Sequence, residues 1–175
     1  MKPIMTFFPD ELLPKRQCLY RADELALLYE AGEIPSTLST SPLLAEVVDK
    51  QFGLDKPSEL LLIADTLTLT FRGADKHLSL LDAHTNRQLW KTCQLHCVPK
   101  ASGQGVLLAK PDSFDEDRYV LDFTPKYEIA SDHKWLRLVL SDDDSEAHYE
   151  VASGLIAGMK EGMITEIFLL DLLFL

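Results

Sequence analysis

The sequence is poor in the features that mark secreted, membrane or disulfide-stabilised proteins. Its three cysteines are an odd number, which does not suit a disulfide framework, so we expect a reducing, cytoplasmic environment. No apolar run approaches the roughly 20 residues that span a bilayer. No basic stretch followed by an apolar run indicates a secretory signal. We therefore expect neither secretion nor membrane association.

Positive charge is also scarce. The chain of 175 residues has 17 Lys and Arg against 28 Asp and Glu, a formal net charge of −11. Residues 111–150 alone hold twelve acidic and four basic side chains, so most of the excess lies in one stretch. A field of this sign repels phosphate backbones, so nucleic acid is not an expected ligand. It would attract a basic protein.

The motifs of common catalytic and metal sites are missing. There is no G-x-x-x-x-G-K-[ST] phosphate loop and no G-x-S-x-G nucleophile elbow. Cys93, His96 and Cys97 have a spacing within the range of zinc ligands, but no second pair follows, so we interpret the cysteines as structural. The acidic segments lack the central glycine of a calcium loop. We predict no metal and no cofactor.

The clearest pattern is a β-meander over residues 60–90. After the apolar residues 60–63, three threonines alternate with Leu67, Leu69 and Phe71, the period of a strand with one apolar face. Residues 72–76 predict a turn into a strand over 77–81. Residues 82–86 predict a second turn, toward a short strand at Leu89 and Trp90.

The remaining patterns predict an α+β fold, with a mostly antiparallel sheet and three helices in one domain, 1–175. We divide it into an irregular arm (1–20), a helical region (21–54), the sheet (58–140) and a helix followed by a strand (143–175). The helices are predicted over 22–31, 41–53 and 145–160, from acidic first turns, an N-cap serine before proline, and apolar residues at helical spacing. Further strands are predicted over 94–98, 105–108, 118–123 and 135–140.

The apolar residues 164–175 predict a final buried strand that completes the sheet. The alternatives for this segment are a helix, or a strand that pairs with another subunit or a partner. A homodimer could form through this strand or through the helix over 145–160, where glycines recur every four residues.

Two functions from different classes fit these patterns. The first is a non-enzymatic module, of the adaptor, chaperone or toxin-neutralising type, that binds a basic partner protein through Asp112, Asp115, Glu116, Asp117, Asp142, Asp143, Asp144 and Glu146. The second is a small enzyme whose site is assembled around the meander turns from His77, His84, Asp82 and Arg87. We expect the first, because no catalytic motif is present.

Overall fold

The protein folds as two β-sheets. The computed structural model describes residues 3–32 and 59–175; of these, 54% lie in strands and 4% in short 3-10 turns, at Arg87–Leu89 and Pro111–Ser113. The strands are β1 (Met5–Pro9), β2 (Lys15–Arg21), β3 (Ala26–Ala31), β4 (Leu60–Ala64), β5 (Leu67–Arg72), β6 (His77–His84), β7 (Lys91–Thr92), β8 (Gly105–Ala109), β9 (Arg118–Val120), β10 (Lys126–Ile129), β11 (Trp135–Val139), β12 (Ala147–Ala152), β13 (Leu155–Lys160), β14 (Met163–Leu170) and β15 (Leu173–Phe174). No helix in the described part of the chain is long and apolar enough to cross a membrane.

Both sheets are mixed. The first has the order β15-β2-β3-β6-β5-β4-β9, and β8 adds to it by pairing with both β6 and β1. The second has the order β12-β13-β14-β11-β10-β7. Most neighbours are antiparallel, whereas β15 with β2, β9 with β4, and β7 with β10 run parallel.

The inner faces of both sheets contribute to one hydrophobic core. Tyr29 and Leu69 of the first sheet and Leu138 and Leu169 of the second belong to the same buried cluster. A smaller cluster around Phe168 lies on the outer face of the second sheet. Residues 93–103, which we call the crossing segment, run over this face from β7 at one edge to β12 at the other, so β14 is buried on both sides.

The structure corrects the α+β prediction: no helix of seven or more residues occurs in the described ranges. The helix predicted over 22–31 is a turn followed by β3. Leu27, Tyr29 and Ala31 alternate with half-buried residues, which is the period of a strand. The acidic residues assigned to a helical first turn belong to the hairpin between β2 and β3, where Arg21 and Glu24 form an ion pair of 3.3 Å. The helix predicted over 41–53 lies outside the described residues.

The helix predicted over 145–160 is also wrong, since this region forms the β12–β13 hairpin. Gly154 has a positive φ of 74°, and Gly162, in the next turn, has a φ of 77°. Glycine adopts this conformation without steric cost, so the two residues mark consecutive hairpin turns. Without a helix here, the predicted dimer contact through it has no structural basis.

The N-terminal arm is ordered strand rather than irregular chain. β1 and β2 occupy most of residues 1–20, and the prolines that suggested irregularity lie at strand boundaries. Pro3 precedes β1, Pro9 ends it, and Pro14 precedes β2. Proline is compatible with such positions because no ladder hydrogen bond needs its missing N–H.

The meander and the terminal strand are confirmed in outline. Three adjacent antiparallel strands, β4, β5 and β6, form the meander, with an unpredicted turn at residues 65–66. The predicted second turn begins too early, because residues 82–84 still belong to β6, and residues 89–90 are not a strand. The strands predicted over 105–108 and 135–140 are β8 and β11, each within one residue of the predicted end. Residues 94–98 are not a strand, and the strand predicted over 118–123 is confined to 118–120. The buried strand predicted over 164–175 is present only to Leu170, as β14 in the middle of the second sheet, and Leu173–Phe174 form β15 in the first sheet.

Candidate functional site

The two acidic segments predicted to bind a partner lie at the ends of strands in different sheets. The first, residues 112–117, leads into β9, and the N–H of Leu61 at the start of β4 donates to the Asp117 carbonyl at 2.7 Å. The second, residues 142–146, connects β11 to β12. It lies next to the β13–β14 turn, where the Glu161 N–H donates to the Glu146 carboxylate at 3.4 Å.

Residues 3–5 join these two segments at one end of the molecule. The Ser113 hydroxyl donates to the Pro3 carbonyl at 3.3 Å, which ties the first segment to the chain just before β1. The N–H groups of Ile4 and Met5 donate to the Gly162 carbonyl at 3.2 and 3.0 Å, which ties the same residues to the β13–β14 turn. Residues 112–117 and 142–146 therefore share one end of the two sheets, which we call the acidic end.

The carboxylates of the acidic end are accessible and only partly neutralised. Seven of the eight predicted residues are exposed, and Asp117 is half-buried. Three form ion pairs: Asp117 with Arg118 at 3.0 Å, Asp142 with Lys126 at 2.7 Å, and Asp143 with Lys160 at 3.0 Å. No ion pair with another described residue is formed by Asp112, Asp115, Glu116, Asp144 or Glu146.

The first acidic segment is held in place by an aromatic anchor. Phe114 is 8% exposed, and its ring contacts those of Phe71 and Tyr119, with centroids 6.2 and 6.1 Å apart. Asp115 and Arg118 exchange backbone hydrogen bonds of 2.8 and 3.1 Å, which close a tight turn. The carboxylates therefore project from a turn fixed to the core.

The four residues of the predicted enzyme site do not converge. His77 begins β6 and His84 ends it, so about 23 Å of extended chain separates them. Asp82 and His84 are both exposed on the outer face of the strand. Arg87 lies beyond the strand end, with its guanidinium 4.0 Å from the centre of the Phe174 ring. The distance places His77 too far from His84 and Arg87 for the four side chains to act on one small substrate.

The cysteine segment does not gather metal ligands in the described chain. Cys93 is buried, whereas Cys97 is exposed, and the Cys93 thiol donates to the Glu128 carboxylate at 3.4 Å. Among the residues that the structure describes, no group of three or more His, Cys, Asp or Glu side chains could hold a metal ion. Residues 93–97 belong to the crossing segment and not to a strand.

A buried ionic network on the outer face of the second sheet was not predicted. Glu166 of β14 accepts from Arg137 Nε at 2.6 Å and from Ser145 Oγ at 2.7 Å, and its carboxylate lies 2.7 Å from His148 Nε2. Arg137 also donates to Glu128 at 2.9 Å. The only sequence signal was a charged residue at one position of each of two otherwise apolar strands.

The hydrogen bonds of the network keep the Glu166 carboxylate ionised. Burial alone would raise the pKa of Glu166, but the hydrogen bonds from Ser145, His148 and Arg137 outweigh it, so the pKa is lowered. Gly158 makes room for this arrangement, because a Cβ there would collide with Ser145 Oγ and lie 2.6 Å from Glu166 Cγ. A carboxylate whose two oxygens are both hydrogen-bonded and whose pKa is lowered is a poor general base. We therefore assign the network a structural role.

Comparison with known proteins gives no family for the chain. No protein-family model matches it, and no curated protein matches it in sequence.

Proposed function

We propose that the protein is a non-enzymatic interaction module that binds a basic partner protein through its acidic end. One observation carries the proposal: residues 112–117 and 142–146, far apart in sequence, lie at the same end of the two sheets, where five of their carboxylates form no ion pair with a described residue. Unpaired exposed carboxylates of one sign steer an oppositely charged surface and accelerate its association. His77 and His84 lie at opposite ends of β6, so the geometry does not support the alternative enzyme site around the meander turns.

The test compares two charge-neutralised variants of the same net charge. The first carries Asp112→Asn, Asp115→Asn, Glu116→Gln and Asp144→Asn at the acidic end. The matched control carries Asp23→Asn, Asp65→Asn, Asp122→Asn and Asp132→Asn, four exposed carboxylates in turns and loops toward the opposite strand ends. Both variants lose four negative charges, so they differ only in where the charge is removed.

The measurement is the association rate with a partner captured from the source cells, as a function of ionic strength. Exposed charges are screened over about 8 Å at 0.15 M salt, so the wild-type rate should fall about tenfold or more between low and physiological salt. The acidic-end variant should associate slowly at both salt concentrations, and the control should behave nearly as the wild type. An association rate that does not change with ionic strength, or equal association rates for the two variants, would contradict the proposal.

A further inference from the structure

Among the described residues, β1 pairs with a neighbouring strand on one side only. It pairs with β8 in an antiparallel register that places Met5 opposite Ala109 and Phe7 opposite Leu107. The Lys110 N–H donates to the Ile4 carbonyl, whereas the Met5 N–H donates in the other direction, to Gly162. Backbone groups alternate in direction along a strand. Within β1, those of Thr6 and Phe8 therefore face β8, and those of Met5, Phe7 and Pro9 face away.

In the part of the chain that the structure describes, the edge that faces away from β8 has backbone groups without a hydrogen-bond partner. The N–H and C=O of Phe7 form no hydrogen bond with any described residue, and Pro9 contributes a C=O but has no N–H. Thr6, Phe8 and Pro9 are exposed, with Phe8 53% exposed. A strand edge with unpaired backbone groups is a template for another strand.

The strand is held rigidly in this position. Gly105 of β8 has no room for a side chain, since a Cβ there would lie 2.9 Å from both Asp10 N and Pro9 Cα. Phe7 stacks on Tyr149 of β12, with ring centroids 4.0 Å apart. The free edge is therefore already in the extended conformation that an added strand requires, which reduces the entropy lost on binding.

Carboxylates flank both ends of this edge. At the Met5 end lies the β13–β14 turn with Glu161, next to Glu146 of the acidic end. At the Pro9 end, Asp10 and Glu11 follow β1 directly. None of these four carboxylates forms an ion pair with another described residue, so the edge suits an extended segment with positive charges on both sides of its centre.

We propose that the free edge of β1 accepts an extended basic segment of the partner as an additional β-strand. This inference rests on the proposed function, because it takes the partner to be basic, and it adds the mode of recognition. Main-chain hydrogen bonds to Phe7 provide the docking register, and the flanking carboxylates select lysine and arginine.

The test is amide hydrogen exchange followed by NMR, with two capped peptides as probes. One peptide alternates lysine with valine, and the other has glutamate in place of lysine. In the free protein the Phe7 amide should exchange faster than those of Thr6 and Phe8, which are paired with β8. At saturation with the lysine peptide, Phe7 exchange should slow about tenfold or more, since its N–H becomes hydrogen-bonded. The glutamate peptide should leave it unchanged.

Each other outcome is informative. A Phe7 amide that is already as protected as that of Thr6, equal binding of both peptides, or no binding of the lysine peptide would overturn the proposal. Binding of the lysine peptide that shifts resonances of residues 112–117 and 142–146 but leaves Phe7 exchange fast would overturn strand addition and preserve the proposed function. The two failures are thus distinguishable.

A backbone variant provides an independent check. N-methylation of Phe7, introduced by ligating a synthetic N-terminal peptide, removes the outward donor without touching the bonds to β8. It should weaken binding of the lysine peptide about tenfold, which corresponds to about 1.4 kcal/mol of binding free energy. The control Phe8→Ala removes an exposed ring but no edge group, and it should bind nearly as the wild type. Equal affinities for the two variants would contradict the proposal.

Discussion

At the scale of single residues, Glu166 is the buried charge on which the second sheet depends. Its side chain is 9% exposed, and it contacts Arg137, Ser145 and His148. In the variant Glu166→Gln, Arg137 keeps only Glu128 as an ionic partner. We expect the free energy of unfolding to fall by about 2–4 kcal/mol, because removing one partner leaves a buried charge poorly compensated. Urea denaturation at pH 7 measures this.

The contribution of Glu166 should disappear in acid. Its pKa is lowered in the folded protein, so the stabilisation is present above the unfolded value of 4.5 and is lost as the pH falls through the folded value. The difference between wild type and Glu166→Gln should therefore shrink below about pH 4.5. As a control, Glu30→Gln removes a half-buried surface pair with Arg16 and should cost about 1 kcal/mol or less. Equal costs for the two variants would contradict the structural role of the network.

The three cysteines should differ sharply in reactivity. Burial raises the pKa of Cys18 to about 12, and it also raises that of Cys93. Cys97 is exposed in the crossing segment. Because the thiolate is the reactive form, iodoacetamide at neutral pH should modify one site rapidly, and peptide mass spectrometry should identify it as Cys97. Rapid labelling of Cys93 would show that the crossing segment does not cover it as described.

At the scale of elements, strands were predictable where alternation was uninterrupted. Residues 67–71 alternate apolar residues with threonine, and this period identified β5. The same reasoning failed for residues 145–160, which form two strands joined by a two-residue turn. Apolar residues on either side of that turn are three or four positions apart, and this spacing is also that of one face of a helix. The sequence signal for the turn was Gly154, a glycine in the middle of the predicted helix. The structure gives this residue a positive φ. The helix over 22–31 was wrongly predicted for a related reason. Its acidic residues lie in a turn before β3, and turns favour the same side chains as helix N-termini.

The candidate site was predictable in part. Charge alone located both acidic segments, because a run of carboxylates is visible locally. That they share one end depends on hydrogen bonds from residues 3–5 to Ser113 and Gly162, which join distant parts of the chain. The network around Glu166 could not be predicted in the same way. Its members come from β10, β11, β12, β14 and one loop, and only the register of the strands makes them neighbours.

At the scale of the whole molecule, the proposed binding surface and most of the buried ionic network lie in different places. The ionic network and the cluster around Phe168 lie on the outer face of the second sheet, beneath the crossing segment. The carboxylates without an ion pair lie at the acidic end, where residues 3–5 join the two sheets, and the free edge of β1 begins there at Met5. Ser145 of the acidic end donates to Glu166, so it is kept in the charge variants. Substituting the exposed carboxylates alone should change binding without disturbing the core.

The order of the second sheet makes the C-terminal region essential for folding. β14 is central, with β13 on one side and β11 on the other, and its residues 164–169 are buried. Deleting residues 164–175 would leave two unpaired strand edges and an opened core. We expect an insoluble product, or one without a cooperative melting transition, because exposed apolar edges aggregate. Circular dichroism and calorimetry measure the outcome.

A shorter deletion is the matched control. Removing residues 173–175 takes away only β15, which pairs with β2, and the ring of Phe174 beneath Arg87. Both sheets keep their central strands, so we expect a folded protein. Its free energy of unfolding should be lower by roughly 2–4 kcal/mol, because the packing of one aromatic ring is removed and the apolar surface beneath it meets water. A soluble 164–175 deletion with the melting transition of the full chain would contradict this assignment, because the core strand would then be dispensable.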